Sequence, residues 1–273
     1  MMNALSIDLE DWFCAFNFAS MIPFERWGTC EFRLVRNTHR ILAKLSHHDV
    51  HATFFVLGWV AERVPFLISE IENEGHEIAV HGYNHKPLTS MTPEEFEHDL
   101  CRTLEALEHC HVQQEIVGYR APCFTITNRT LWAIPILERY HFRYDSSVFP
   151  FGLHPDYGIQ DAPLGRYSIG DRLLEFPMTC IELFGKRLPC AGGAYFRFFP
   201  YSYTRMCIAR CNAQGRSAVF YLHPWEIDPN QPKVPMSRLR RMRHYYHLDK
   251  TETRFERLLT DFSFTTIREI LHV

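Results

Sequence analysis

Five sets of ionisable residues punctuate the chain at points where an apolar run has just ended. Asp8, with Glu10 and Asp11 beyond it, follows the run 3–7, and His81 follows Ile78-Ala79-Val80, with His85 four residues on. Arg120 follows Ile116-Val117-Gly118-Tyr119, Asp145 follows Phe142-Arg143-Tyr144, and His223 follows Ala218-Val219-Phe220-Tyr221-Leu222. Each set has an ordinary structural reading: acids favour helix starts, an arginine pairs with any carboxylate, and His223-Pro224-Trp225 packs as a turn. The chemical reading takes them together. Two histidines at i and i+4 share one face of a helical turn and can grip one cation. An acid from another strand then completes a three-ligand site with an open position for water. A second acid, left off the metal, would serve as general base. With 16 histidines in the chain, such pairs also arise by chance, so the weight rests on five strand ends coinciding.

The elements that must position these groups alternate. Short β-type runs fall at 3–7, 52–57, 77–80, 115–119, 142–144, 173–176 and 217–222, with helical patterns near 33–46, 60–74, 93–110, 128–140 and 200–214. Thr92-Pro93-Glu94-Glu95 marks one helix start with a cap, a proline at the first helical position and a capping-box glutamate. Strands alternating with helices predict βα units around a parallel sheet, open or closed into a barrel, whose carboxyl strand ends share one face. The stretch 145–200, rich in Pro, Gly and aromatics, reads as a long decorated connection rather than a second domain. The tail from 224 adds a helix near 251–262 and a last strand at 264–268. The expectation is one domain over 1–273, with 224–273 as an extension packed on the barrel.

Composition narrows the classes. A chain of 273 residues that is 46% hydrophobic, with 22 Phe, 12 Tyr and 5 Trp, has ample surface for one core. The near balance of 29 basic and 32 acidic residues argues against nucleic acid as the main partner. The start, Met1-Met2-Asn3-Ala4-Leu5-Ser6, lacks a basic segment and a long apolar one, so no secretory signal is expected. No run approaches the roughly 18 apolar residues of a spanning helix. Nine cysteines with no CxxC read as reduced thiols in a cytoplasmic protein.

In their order, Asp8, His81-x-x-x-His85, Arg120-Ala121-Pro122, Asp145-Ser146-Ser147 and Leu222-His223 resemble the NodB-homology polysaccharide deacetylases, carbohydrate esterase family 4. Ser6-Ile7-Asp8-Leu9-Glu10-Asp11-Trp12, Ala52-Thr53-Phe54-Phe55-Val56-Leu57-Gly58 and Tyr221-Leu222-His223-Pro224-Trp225-Glu226 resemble the subgroup associated with exopolysaccharide loci and exosortase systems. The resemblance implies a distorted, usually seven-stranded (β/α) barrel and metal-dependent hydrolysis of N-acetyl groups on amino sugars. It implies His81 and His85 as metal ligands, Asp8 as general base, and Arg120 as the group that holds that base ionised. It also implies the backbone N–H of Cys123 as oxyanion donor, His223 as general acid and Asp145 as the carboxylate that tunes it. Two departures stand out. Leu9 follows Asp8 where most of the family has a second acid, so the metal acid is Glu10 or Asp11. Alternation along an extended chain favours Glu10. Cys123 stands where most of the family has Tyr.

The cofactor implied is a divalent cation. Zn2+ suits a His/His/acid set best, and Co2+, Ni2+ or Mn2+ would be accepted by similar ligands. The partner implied is an N-acetylated polysaccharide or a lipid-linked glycan. Gly192-Gly193-Ala194-Tyr195-Phe196-Arg197 could admit a sugar to the backbone with Tyr195 or Phe196 stacking on it, or be a plain core turn. Arg238, Arg240, Arg241 and Arg243 fall within six positions, a solvated face or a contact for anionic headgroups at the inner face of the membrane. Two rival functions remain on the same barrel: hydrolysis of a cyclic ureide or imide, and non-catalytic carbohydrate binding.

Overall fold

The computed structural model describes residues 1–152, 157–190 and 192–273. Its strands are β1 (Asn3–Leu9), β2 (Thr53–Val56), β3 (Glu77–Val80), β4 (Gly118–Tyr119), β5 (Tyr144–Asp145), β6 (Tyr167–Ser168), β7 (Leu174–Glu175), β8 (Cys180–Leu183), β9 (Lys186–Pro189), β10 (Val219–Leu222) and β11 (Phe264–Thr265). Its α-helices are α1 (Leu34–His47), α2 (Gly58–Arg63), α3 (Pro65–Asn73), α4 (Pro93–His109), α5 (Ala133–Arg139), α6 (Gly193–Phe198), α7 (Tyr201–Ala213), α8 (Arg238–Tyr245), α9 (Leu248–Asp261) and α10 (Ile267–Leu271). Among these residues no helix is long and apolar enough to cross a membrane.

Every residue of β1, β2 and β3 is buried, as befits a parallel sheet covered on both faces. The sheet runs β10-β1-β2-β3-β4-β5-β7 with parallel pairing throughout, seven strands, and β6 adds antiparallel at the far edge. This is the distorted (β/α) barrel in its curled, half-closed form. β11 also pairs with β1, through Asn3 and Ala4, so the chain's last strand is tied to its first. One core cluster fills the space between the sheet and helices such as α1, α3 and α4, and a second, built around Phe55, Phe149, Tyr144 and Tyr221, fills the curl.

Among the described residues no strand ladder closes β7 onto β10. A side chain closes the gap instead. The Thr179 hydroxyl donates to the Val219 carbonyl (2.9 Å) and accepts from the Val219 N–H (2.6 Å), doing for one residue what a neighbouring strand would do. Beside it, Gly192 bridges to Tyr221. A Cβ on Gly192 would sit 2.0 Å from the Tyr221 carbonyl oxygen. That pair of glycines is therefore a core turn against β10, one of the two readings its sequence allowed.

Several expected elements differ. The pattern at 60–74 is two helices, because Pro65 pushes Val64 out of the helical region (φ −136°, ψ 58°) and starts α3. The expected strand at 264–268 ends at Thr265, where the Thr266 hydroxyl accepts the Glu269 N–H and caps α10. The connection 145–200 contains the hairpin β8–β9 and α6, and the Arg-rich segment forms α8.

The seam yields a prediction. Thr179→Val keeps the volume and leaves both Val219 backbone groups unpaired, so denaturant unfolding should show a loss of about 2–4 kcal/mol. Thr179→Ser should retain most of the stability. A Val variant as stable as the parent would show that the seam does not hold the curl.

Candidate functional site

The carboxyl ends of β1, β3, β4 and β10 open on one cavity of about 370 Å3, lined by Asp8, Glu10, His81, His85 and His223 among others. β1 delivers Asp8 and, just past its end, Glu10, whose N–H donates to the Asp8 carbonyl (2.9 Å). β3 delivers His81, anchored through its N–H to the Val56 carbonyl (2.9 Å). His85 arrives differently from the expected helical turn. Residues 81–85 form a bend, with Gly82 (φ 72°) and His85 (φ 57°) in the left-handed region, and the two rings still lie 5.3 Å apart.

Glu10 Oε1 lies 3.3 Å from His81 Nε2 and 3.0 Å from His85 Nε2, all three side chains buried. His81 Nδ1 donates to the Arg120 carbonyl (2.8 Å), which holds the ring with Nε2 facing Glu10. Burial opposes the charge on Glu10, but His85, His223 and His81 outweigh it and hold its pKa well below the usual range. Two imidazole nitrogens and one carboxylate oxygen converging in a buried pocket fit a divalent cation such as zinc.

Glu10 and Asp11 part company where the chain turns. Asp11 accepts the backbone N–H groups of Trp12 (2.8 Å), Arg33 (2.6 Å) and Leu34 (2.9 Å), capping a 3-10 turn and tying it to the start of α1. It belongs to the scaffold and makes no contact with His81 or His85. Burial pushes its pKa up to about 6 against those three bonds.

Arg120, at the end of β4, is fully buried. Its Nη1 donates to Asp8 Oδ1 (2.6 Å) and Ser6 Oγ (2.8 Å), its Nε to the Ser146 carbonyl (2.9 Å), and its Nη2 to Ser146 Oγ (3.0 Å). The guanidinium carbon lies 4.0 Å from the centre of the Phe55 ring. Asp8 is thus held through one oxygen, and the other, Oδ2, lies 3.8 Å from His223 Nε2.

The carboxylate on His223 is Glu226, a correction to the pairing with Asp145. Glu226 Oε1 accepts from His223 Nδ1 (2.6 Å) and from the His223 backbone N–H (3.2 Å). Its other oxygen takes Arg197 Nε at 2.6 Å. Burial works against a charged His223, but Glu10, Glu226 and Asp8 together raise its pKa to about 9. Asp145 is fully buried and turned elsewhere. It accepts from Ser147 Oγ, which in turn accepts the Ala121 N–H (2.7 Å), and it shares its surroundings with Glu175. Its burial raises its pKa to about 6, so it braces the Arg120–Cys123 loop from below. Neither Glu226 nor Arg197 stood out in the sequence as a site residue. The available signal was Glu226 three places after His223, the capping-box spacing.

Cys123 lines the cavity in a left-handed conformation (φ 56°), as part of the turn that redirects the chain after Arg120. Tyr195, on α6, lines the opposite wall with its hydroxyl 2.9 Å from that of Tyr157.

Fold and site together define a hydrolase-like barrel with a His/His/acid centre, and comparison with known proteins gives it a family. Residues 27–140 match the family model described as Polysaccharide deacetylase, and residues 146–272 match a domain of unknown function, DUF3473. Over 27–140, under half of its length, the chain is thus similar to polysaccharide deacetylases of the NodB, carbohydrate esterase family 4 type. It is 37% identical over 103 residues to a peptidoglycan-N-acetylglucosamine deacetylase of Bacillus cereus, covering 35% of this chain and 35% of that protein. It is 32% identical over 99 residues to a chitooligosaccharide deacetylase of Rhizobium leguminosarum bv. trifolii, covering 33% of this chain and 46% of that protein. The matches thus span less than half the length of these relatives. Among solved structures, a polysaccharide-deacetylase candidate from Mycobacterium smegmatis superposes with a TM-score of 0.62 at 24% identity, covering 99% of this chain and 88% of the other. A family 4 pseudoenzyme from Bacillus anthracis superposes at 0.52 and 15% identity, covering 99% and 65%. The fold is shared with a protein named as inactive, so any case for activity must rest on the site.

Two predictions follow from the two guanidinium–carboxylate pairs. Arg120→Met leaves Asp8 buried without its partner and should cost about 3–5 kcal/mol by urea unfolding, with Asp8→Asn in the same chain recovering part of the loss. In metal-free protein, Glu226→Gln removes one negative neighbour of His223. The His223 proton should then leave at lower pH, its NMR midpoint falling by about one unit or more from the parent value. An unchanged midpoint would mean that Glu10 and Asp8 alone keep the imidazole charged.

Proposed function

We propose that the chain is a metal-dependent hydrolase that removes N-acetyl groups from amino sugars of a polysaccharide or lipid-linked oligosaccharide in exopolysaccharide biosynthesis. The observation that carries this reading is the approach of Glu10 Oε1 to His81 and His85 at 3.3 and 3.0 Å, with His223 Nε2 3.7 Å from the same oxygen. The names of the relatives support the substrate class. The reading treats 1–273 as one catalytic unit working at the cytoplasmic face of the membrane. β10, from the DUF3473 segment, supports it by lying directly beside β1.

Glu10, His81 and His85 would hold the cation, with Zn2+ the best match to the donors. Bound there, a cation supplies polarisation of the acetamide carbonyl and a water of lowered pKa. The chain's own groups do the rest. Asp8, fixed through Oδ1 by Arg120, presents Oδ2 to take the proton from the attacking water. The backbone N–H of Cys123 is the candidate donor to the oxygen that gains charge as the carbonyl carbon becomes tetrahedral. His223, kept protonated by Glu226, gives its proton to the sugar nitrogen as the C–N bond breaks. Acetate and a free amine leave. Tyr195 offers a face on which a sugar ring can stack.

Acetate release from N-acetylglucosamine oligomers by zinc-loaded protein tests the proposal. Asp8→Asn should cut turnover by about 10²–10⁴ while bound zinc stays at the parent level. His81→Ala should lose both activity and zinc. Stoichiometric zinc without acetate release from the parent would overturn the deacetylase reading and move the case to a cyclic ureide or imide substrate.

A further inference from the structure

From Pro229 to Leu248 the chain has no Asp or Glu, yet it carries Lys233, Arg238, Arg240, Arg241 and Arg243, in a protein whose overall formal charge is −3. The cationic block is therefore local. Four of these residues lie on α8. Arg238, Arg240 and Arg241 are exposed and make no ion pair among the described residues; Arg240 Nη1 reaches only the Ser20 hydroxyl (3.3 Å). Like charges packed at helical spacing repel one another, and no acid three or four positions away relieves them. Arg238, Arg240 and Arg241 are open to an anion from outside the chain.

Its apolar residues point to what bears that anion. Leu239 is 72% exposed and Met242 48%, one helical turn apart, and Phe16, from the segment after β1, is 47% exposed. All three line the cavity that holds Asp8, Glu10 and the histidines. The rim of the site is thus apolar and wet on both lips, with arginines interleaved on one. A soluble polyanion would satisfy the arginines and leave the apolar side chains in water. An anionic bilayer surface satisfies both, headgroups taking the guanidinium groups and the acyl boundary taking the apolar tips.

The helix is also seated on the machinery. Its His244 is fully buried, bonded through Nε2 to Gln231 Oε1 (2.8 Å), and stacks 4.4 Å from the Trp225 ring, whose other neighbour is His223 at 5.3 Å. Arg197, which holds Glu226, also donates to the His244 carbonyl (2.6 Å). Whatever α8 docks on is thereby placed at a fixed distance from the site.

We propose that α8, with Phe16 across the cavity mouth, is an interfacial docking element that seats the open site on an anionic lipid bilayer. The proposal rests on the glycan-deacetylase reading only for what is delivered there: an amino sugar carried on a membrane lipid, met at the bilayer surface.

The test is co-sedimentation of the whole, zinc-loaded protein with vesicles of phosphatidylglycerol and phosphatidylcholine, against phosphatidylcholine alone. The protein should pellet with the anionic vesicles, and less so as salt rises. Each arginine near the surface is worth about fivefold in partition, so R238Q/R240Q/R241Q should weaken it by about two orders of magnitude. That variant should keep the parent melting temperature and the parent acetate release from soluble oligomers. A Trp at position 239 (Leu239→Trp) should be quenched by brominated lipid. No pelleting of the parent, or equal pelleting of the triple variant, would overturn the proposal. So would a dimer, seen by sedimentation without lipid, that the triple variant abolishes. Vesicle binding is read without turnover. Binding without acetate release therefore sinks the deacetylase reading alone, and acetate release without binding sinks this one alone.

Discussion

A buried guanidinium sets the terms for this fold. Taking the charges of Arg120 and Asp8 out of water costs several kcal/mol per ion, and only close geometry with every donor used can offset it. The strand ends supply that geometry. Ser6 and Asp8 come from β1, and Ser146, just past β5, gives both a carbonyl and a hydroxyl. The two serines then pass the constraint outward, Ser146 Oγ to the Phe176 carbonyl beyond β7 and Ser6 Oγ to the Phe220 carbonyl in β10. One side chain thus indexes the heights of β1, β4, β5 and β10 against one another. A one-residue slip in any of them would strand a charge in the core.

The second pair, Arg197 with Glu226, repeats the device on the opposite side of the cavity, and the two come from different parts of the chain. The segment matching the deacetylase model, 27–140, contains His81, His85 and Arg120. Asp8 and Glu10 precede it. His223, Glu226, Arg197 and the whole of α8 lie in the segment matching a domain of unknown function. That second segment is therefore no appendage: through β10 it completes the sheet beside β1 and brings a histidine within 3.8 Å of Asp8. Thr179 and the Gly192–Gly193 turn, which hold the open side of the curl, belong to it as well.

How much of this was legible depended on the range of the physics. The parallel βα organisation and the placing of Asp8, His81, Arg120 and His223 at strand ends follow from local periodicity, and the structure gathers these four at one face. Alternation puts Glu10 on the same side of the chain as Asp8, and what holds Asp11 is visible only in three dimensions, where the start of α1 presents two N–H groups to it. The partner of His223 was not legible from the family pattern, which points to Asp145. Ser147 and Glu175 hold that carboxylate beneath the Arg120 loop, and a glutamate three residues from His223 takes its place. The Thr179 seam lies beyond local reasoning altogether, because its partner is 40 residues away and one side chain does the work of a strand.

Charge pairing also sets Glu10 apart from the other acids of the site. Asp8 commits one oxygen to Arg120, Glu226 is shared between Arg197 and His223, Asp11 is spent on three backbone N–H groups, and Asp145 is turned away with Glu175. Glu10 has no guanidinium and no backbone donor among its described contacts; its neighbours are the three imidazoles of His81, His85 and His223. Imidazoles can act as partners in two ways, as protonated donors or as neutral ligands, and the Nδ1 bond of His81 to a carbonyl aims its Nε2 at Glu10 in either case. A carboxylate faced by three imidazoles is thus without the commitments that hold the other acids of the pocket. The same matching commits one oxygen of Asp8 to Arg120 and leaves the other facing His223.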